Sequence, residues 1–360
     1  MKVIYLNNDS SMKTGAGRFY NSLTGALGKN VPDLKAEILT HENGLPKRFW
    51  QLPFYYFPVR KTIKNCEIVH ALDGWPYGFI AVIASLFLKK RVIITAIGTG
   101  SVKPLYNWWK RPLLRWAYKK ADIVTAVSNN TKKEILKVLP DLNIEVINHG
   151  VDFNKFKIKN LKLKIQKPYI LSVGALKKRK GFEYSIAAFA ELLKGIRESG
   201  NKELSDLKYV IVGKGPEHQN LKFKIKNLKL ENRVIFLENL TEEELISVYK
   251  NAELFVLLPQ DINKDIEGFG LVFLEAAAAG LPVVGAKDTS AEDAVRDGKN
   301  GILVDPTDIQ SAAQAAEKIL SDVDLRNSFS KESLILAKEM SWEKIAKTYS
   351  DLYFFRRPSI

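Results

Sequence analysis

Cysteine is almost missing from this sequence. Its 360 residues hold one, Cys66, which excludes an intramolecular disulfide framework and a cysteine-rich zinc site. Histidine is nearly as scarce: His41, His70, His149 and His218 stand far apart, with no metal-ligand spacing among them. Long apolar runs are absent too. The nearest, Tyr77 to Leu88, ends at Lys89-Lys90-Arg91. It falls well short of the roughly 20 residues of a membrane span and reads as a buried helix. The opening residues, Val3-Ile4-Tyr5-Leu6, are apolar over fewer positions than the roughly 7–15 of a secretory signal, and they read as a buried strand. The expected setting is therefore the cytoplasm, either free or peripheral on the cytoplasmic face of a membrane. Hydrophobic residues at 46% and charged residues at 26% describe an ordinary globular chain, not a disordered or fibrous one. A single core tends to stop growing at about 250–300 residues, so two domains are expected.

Acidic residues are scarce in one half only. Residues 1–160 carry 25 Lys and Arg against 11 Asp and Glu, whereas residues 161–360 carry 30 against 29. Nearly all of the net charge of +15 thus belongs to the first half. Such a field gathers anionic partners: phospholipid, nucleic acid or a phosphorylated acceptor.

Short β-branched strands alternate with helices through both halves. In the first, strands are expected at 3–7, 68–71, 92–96, 123–128 and 145–147, with helices at 18–27, 77–88, 105–120 and 131–138. Residues 153–167 interrupt the alternation with six lysines and no glycine, and read as the domain junction. The second half resumes with strands at 169–173, 209–212, 234–236, 254–258, 282–285 and 302–304. Its helices are expected at 183–198, 217–227, 242–250, 271–279, 291–297 and 308–320. The fold class is α/β: two tandem doubly wound, Rossmann-like domains facing a central cleft, with ligands at the carboxyl ends of the strands.

The most informative segment is Glu267-Gly268-Phe269-Gly270-Leu271-Val272-Phe273-Leu274-Glu275, followed by alanines, Gly280 and a buried strand. Glycines at a helix entrance let main-chain N–H groups reach an anion, which the helix dipole favours. Glu267 in the loop and Glu275 two turns into the helix address different parts of one ligand; the plain alternative is two solvated glutamates. Thr14-Gly15-Ala16-Gly17-Arg18 after the first strand is a second glycine-rich entrance, equally readable as a tight turn.

The Glu267–Glu275 segment resembles the signature of the retaining nucleotide-sugar glycosyltransferases of family four, whose architecture is the two-Rossmann GT-B type. Ser172-Val173-Gly174 through Lys180-Gly181 is similar to that family's first donor-domain turn, and Val212-Gly213-Lys214-Gly215-Pro216 to its next. Asn300-Gly301-Ile302-Leu303-Val304 resembles the end of the donor domain, Asn148-His149-Gly150-Val151-Asp152 the junction motif, and Ser341-Trp342 the start of a returning helix. The likeness is strong over 168–342 and looser over 1–152.

The resemblance implies an acceptor-side domain at 1–152, a linker at 153–167, a donor domain at 168–338 and a C-terminal helix at 339–360 crossing back to the first domain. It implies catalytic roles for Glu267, near the donor's reacting carbon, and for Lys180. Gly174, Arg179, Gly213, Gly268, Phe269, Gly270, Leu271 and Glu275 would bind the donor, Glu275 through the ribose hydroxyls. Gly15, Gly17 and Thr99 would belong to an acceptor or diphosphate loop. Arg179 and Lys180 would neutralise the leaving diphosphate; a solvated basic run is the plain alternative. Transfer would retain configuration, by a covalent intermediate or, favoured here, by same-face attack. The pattern departs from the family at Ala175, where arginine is frequent, and at Ile97, where histidine is frequent.

No cofactor and no essential metal are expected, and Asp322-Val323-Asp324 reads as helix capping. The partners would be a nucleotide-sugar donor and a glycan, glycolipid or lipid-linked acceptor. An anionic membrane surface is a further candidate through the basic half, where residues 103–120 interleave tryptophans with lysine and arginine, with a break expected at Pro112. The plain alternative for that segment is a helix packed on the sheet. A nicotinamide-dependent oxidoreductase is a weaker alternative, because Gly15-x-Gly17 meets Tyr20 and Gly213-x-Gly215 meets Pro216 where its fingerprint needs other residues. A non-catalytic anion- or nucleic-acid-binding protein is a third class, suggested by charge alone; nucleic acid is not expected as a partner, because no binding motif accompanies the charge.

Overall fold

The computed structural model describes residues 1–11, 14–157, 161, 165 and 168–354. Two compact units emerge. Unit 1 takes Met1–Gly150, the short segment Lys264–Phe269 and the chain from Trp342 onward; unit 2 takes Val151–Asn263 and Gly270–Ser341. Residues 158–160, 162–164 and 166–167 of the expected linker, and 355–360 of the expected last helix, lie outside the described residues.

Unit 1 runs β1 (Lys2–Leu6), α1 (Gly15–Asn30), β2 (Lys35–Leu39), α2 (Leu52–Ile63), β3 (Ile68–Leu72), α3 (Phe79–Ser85), β4 (Arg91–Ala96), α4 (Thr99–Val102), α5 (Lys110–Lys120), β5 (Ile123–Ala126), α6 (Asn129–Leu136) and β6 (Glu145–Val146). All pairings are parallel, in the order β2-β1-β3-β4-β5-β6. Every residue of β3 is buried, as a central strand covered on both faces requires.

Unit 2 runs β7 (Tyr169–Val173), α7 (Phe182–Ser199), β8 (Lys208–Val212), α8 (His218–Asn227), β9 (Val234–Leu237), α9 (Glu242–Asn251), β10 (Leu254–Val256), α10 (Leu271–Ala278), β11 (Val283–Ala286), β12 (Gly301–Val304), α11 (Ile309–Ser321) and α12 (Val323–Glu339). Its parallel sheet is ordered β12-β11-β10-β7-β8-β9, the Rossmann order with its reversal between β7 and β10. The last helix, α13 (Trp342–Phe354), returns to unit 1 and packs on α1.

A buried polar relay ties α13 to the first sheet. The Nδ1 of His70 in β3 lies 2.7 Å from the Tyr353 hydroxyl, which is 2.9 Å from that of Tyr5, while the His70 Nε2 lies 2.7 Å from Thr95 Oγ1. Burial holds His70 neutral, pushing its pKa down to about 3.

Several expected elements differ. Strand β2 went unread because Lys35 and Glu37 break its apolar pattern; it is an edge strand and needs only a partly buried face. Helix α2 hides behind Pro53 and Pro58 and an aromatic outer face. The expected helix 105–120 is interrupted, but not by Pro112. The break falls at Asn107, whose Oδ1 accepts hydrogen bonds from the main-chain N–H of Trp109 and Lys110 and starts α5 afresh. Pro112 sits in the first turn of α5, where no intrahelical N–H is needed. The expected helix 291–297 shrinks to one 3₁₀ turn, Ser290–Asp293. Helix α12 was missed because its buried stripe contains a serine, Ser333, whose hydroxyl donates to the Leu281 carbonyl. Asp322 caps that helix, accepting from the Leu325 N–H at 2.9 Å.

All six tryptophans lie in unit 1, so their fluorescence reports its unfolding alone. Tyr353→Phe leaves His70 and Tyr5 short of a partner and should lower the stability of unit 1 in urea by about 1–3 kcal/mol. Because the folded-state pKa of His70 lies below its unfolded value of about 6.5, its contribution is present above that pH and is lost on acidification. Lowering the pH from 7 to 5 should therefore cost about 2 kcal/mol through His70, and His70→Gln should shrink the pH dependence by that much. An unchanged slope would contradict this.

Candidate functional site

The carboxyl edge of the second sheet is built from backbone laid against backbone. Gly213, at the end of β8, has φ of 146° and faces the Gly174 carbonyl at the end of β7 so closely that a Cβ would overlap it. The Gly174 N–H in turn donates to the Val212 carbonyl at 3.0 Å. The β7 exit then makes a 3₁₀ turn, Lys178–Lys180, and enters α7 at Gly181, which lies against the Leu258 carbonyl beyond β10. The Gln260 N–H donates to the Arg179 carbonyl at 2.8 Å. These contacts hold Arg179 and Lys180 at the switch point between β7 and β10. Lys180 is 93% enclosed, unusual for lysine, with its stem 3.6 Å from where a Gly174 Cβ would stand.

Gly270 opens α10 with φ of 74° and no side-chain cap, so no side chain caps the first-turn N–H groups that begin with Leu271. The Ser290 hydroxyl, beyond β11, lies near Gly270, which sets this helix entrance on the same edge of the sheet. Further along, the Tyr249 hydroxyl donates to Glu275 Oε2 at 2.8 Å and fixes the carboxylate. Gly174, Arg179, Lys180, Gly213, Gly270, Leu271 and Glu275 therefore all belong to unit 2.

Glu267, Gly268 and Phe269 belong to unit 1, with a dense set of anchors. The Thr99 hydroxyl lies 2.8 Å from Asp265 Oδ1 and accepts from the Ile266 N–H at 3.2 Å. Thr131 Oγ1 donates to the Gly268 carbonyl at 3.2 Å. Gly268 presses on the Ile97 carbonyl where no Cβ fits. Phe269 is buried against the His149 ring, with centroids 5.2 Å apart. Lys264 pairs with Glu134 at 3.4 Å. Burial alone would raise the Glu134 pKa, but Lys137 and Lys264 hold it below the usual carboxylate range. Thr99 thus positions the segment carrying Glu267.

Gly15 and Gly17 open α1, where Thr14 caps by accepting the Gly17 N–H at 3.0 Å. Gly17 is pressed against Ser11, whereas Gly15 faces open space.

Three further residues were not picked out as site residues from the sequence. Burial holds His149 neutral, at about 3, while the Glu267 charge pulls the other way; its Nδ1 has no hydrogen-bond partner among the described residues. Enclosure pushes Asp73 up to about 6, against hydrogen bonds from Ser101 and from the N–H groups of Gly74 and Ile97. Tyr249 is the third. The junction motif contained His149, but nothing in the sequence placed it beside Phe269.

These features define a two-domain transferase fold. The model for glycosyl transferases group 1 matches residues 153–334 and that for Glycosyltransferase Family 4 matches 25–155. The chain belongs to this family of glycosyltransferases, and its fold is the GT-B type of two Rossmann-like domains.

Among its relatives, N-acetyl-alpha-D-glucosaminyl L-malate synthase of Bacillus anthracis is 27% identical over 81% of this chain and 75% of that protein. The GDP-mannose-dependent alpha-(1-6)-phosphatidylinositol monomannoside mannosyltransferase of Mycolicibacterium smegmatis is 29% identical over 60% of this chain and 58% of its own length. Two solved structures share the fold. Anabaena HepE in complex with UDP has a TM-score of 0.78 at 19% identity, covering 98% of this chain and 99% of its own. Sucrose-phosphate synthase of Thermosynechococcus elongatus has 0.79 at 19% identity, covering 98% of each chain.

The glycine contacts predict a sharp contrast. Gly268→Ala forces the Ile97 carbonyl aside and should destabilise unit 1 by about 2 kcal/mol or more, read from tryptophan fluorescence in urea. Gly15→Ala, in open space on a helix, should be neutral or stabilising by up to about 1 kcal/mol. Equal effects would contradict the packing described.

Proposed function

We propose that the chain is a retaining, metal-independent hexosyltransferase that moves a sugar from a nucleoside-diphosphate donor to a glycan, glycolipid or lipid-linked acceptor. The observation that carries this reading is the switch-point edge of unit 2. There the enclosed Lys180, Arg179, the glycine turns after β7 and β8, and the uncapped entrance of α10 share one edge of one sheet. Departure of a nucleoside diphosphate builds negative charge on its oxygens. Pre-oriented amides and enclosed cations meet that charge with little reorganisation. In this reading they do the work a metal would otherwise do.

Glu275, steadied by Tyr249, binds the ribose hydroxyls, and Glu267 acts beside the reacting carbon. Gly15 and Gly17 supply a second main-chain anion site for diphosphate or acceptor. Retention follows from attack on the face the phosphate leaves: the carbon–phosphate oxygen bond breaks, the bond to the acceptor oxygen forms, and the acceptor proton passes to the departing phosphate. A UDP complex in a protein of like fold and a GDP-mannose-dependent relative support a nucleotide-sugar donor. The setting that fits is the cytoplasm or the cytoplasmic face of a membrane.

A panel of UDP- and GDP-sugars, assayed for hydrolysis without acceptor, tests this. One donor should turn over, and Lys180→Ala and Glu267→Ala should each reduce kcat by about 100-fold or more. Glu275→Ala should mainly raise KM, because ribose contact is remote from the reacting carbon. Full rates in both of the first two variants would overturn the assignment.

A further inference from the structure

Unit 1 exposes aromatic rings that its own packing does not use. Trp50, Phe54, Phe57, Phe87 and Trp108 are between 64% and 96% accessible, far beyond what a solvated face needs. Three of them share one stripe. A 3₁₀ turn, Phe49–Gln51, runs straight into α2, so positions 50, 54 and 57 fall on the same face, opposite the buried Leu52, Val59 and Ile63. This helix is amphipathic in the usual sense on its inner side only. Its outer side is aromatic where polar residues would be expected.

The other two rings are fastened to the ends of that helix. At its start, Phe49 packs on Trp109 and on Trp75, with centroids 5.7 and 4.7 Å away, which sets the Trp108 turn beside the entrance of α2. At its end, Arg60 Nη1 donates to the carbonyls of Ala84 and Leu86 at 3.0 and 2.7 Å, clamping the turn that carries Phe87. Phe87 holds φ of 62°, a left-handed conformation that is uncommon for a bulky residue, and its ring is almost fully exposed.

Charge selects the occupant. Between Glu42 and Asp122 lie fourteen lysines and arginines and only two acids, Glu67 and the half-buried Asp73. That stretch alone carries +12 of the net +15. Exposed cations adjoin the rings along the chain, Lys47 and Arg48 before Trp50, Lys61 and Lys64 after Phe57 and Lys89 after Phe87. Exposed Trp and Phe with such neighbours match the interface of an anionic bilayer, where rings enter the headgroup boundary and ammonium groups meet lipid phosphate. A single-stranded nucleic acid calls instead for a basic groove that tracks its backbone; here the rings stand on a helix face and two turns. Among the described residues no helix is long and apolar enough to cross a membrane, so the contact is with its surface.

We infer that the face formed by α2 and the Phe87 and Trp108 turns is a docking surface for anionic lipid bilayers. This proposal stands on unit 1 alone and does not rest on the transferase reading.

Sedimentation of the full chain with phosphatidylglycerol/phosphatidylcholine vesicles, and with phosphatidylcholine vesicles, tests it at low and high salt. Binding to the anionic vesicles that weakens with salt is expected. Phe54→Ser/Phe57→Ser should reduce the partition coefficient by about tenfold or more, and Phe87→Ser by a smaller factor, with the unfolding transition unchanged. Phe223→Ser, an exposed ring on α8 of unit 2, should bind like the parent. Donor hydrolysis should be the same in the Phe54→Ser/Phe57→Ser variant as in the parent, so loss of docking and failure of the transferase reading are separable. The inference is overturned by absence of binding to anionic vesicles at low salt. Equal binding by the parent and the Phe54→Ser/Phe57→Ser variant overturns it as well. So does tight binding of a single-stranded oligonucleotide that competes the vesicles away.

Discussion

A carbonyl oxygen occupies the space a Cβ would need at Gly213 and at Gly268, and the functional arrangement depends on those two approaches. At Gly213 the exits of β7 and β8 touch through main chain alone. The turn that follows can then present Arg179 and Lys180 at the sheet's switch point instead of filling it with side chains. At Gly268 the segment before α10 lies flat on the β4 exit, and a threonine on either side, Thr99 and Thr131, holds it there. Each approach sets polar main chain against polar main chain within its own unit. Neither tolerates even one added carbon.

The two units treat their buried polar groups differently. Unit 1 keeps neutral histidines inside: His70 joins Tyr5, Thr95 and Tyr353 in a relay, and His149 is sandwiched among Phe19, Phe269 and Trp342. Desolvation keeps both uncharged across the physiological range. Asp73 runs the other way: its raised pKa favours the folded state on acidification and partly offsets the histidines between about pH 4 and 6. Unit 2 instead encloses a lysine, Lys180, at the carboxyl edge of its sheet.

Much of this was legible in the sequence because doubly wound sheets write themselves in short β-branched runs separated by glycine. β3 and β7, buried end to end, are clear in any window. The edge strand β2, with Lys35 and Glu37, is not, since half of it answers to solvent. Helix α2 was hidden for the opposite reason: its exposed face is aromatic, so no polar stripe marks it. The glycines around residue 270 were visible as the entrance of a helix. The membership of 264–269 in the first unit was not, because it depends on Thr99, Thr131 and His149, distant in sequence and unremarkable in type. Tyr249 beside Glu275 is a contact across 26 positions that no local spacing announces.

Main-chain amide shifts on adding a nucleoside diphosphate test the central claim most directly. Titration of UDP or GDP into ¹⁵N-labelled protein should move the amides of Gly174, Gly213, Leu271 and Val272 together, with one saturation constant, and should leave the β12–α11 side of unit 2 unaffected. Saturable binding that moves other amides and spares these four would contradict the account, as would the absence of any shift with either nucleotide.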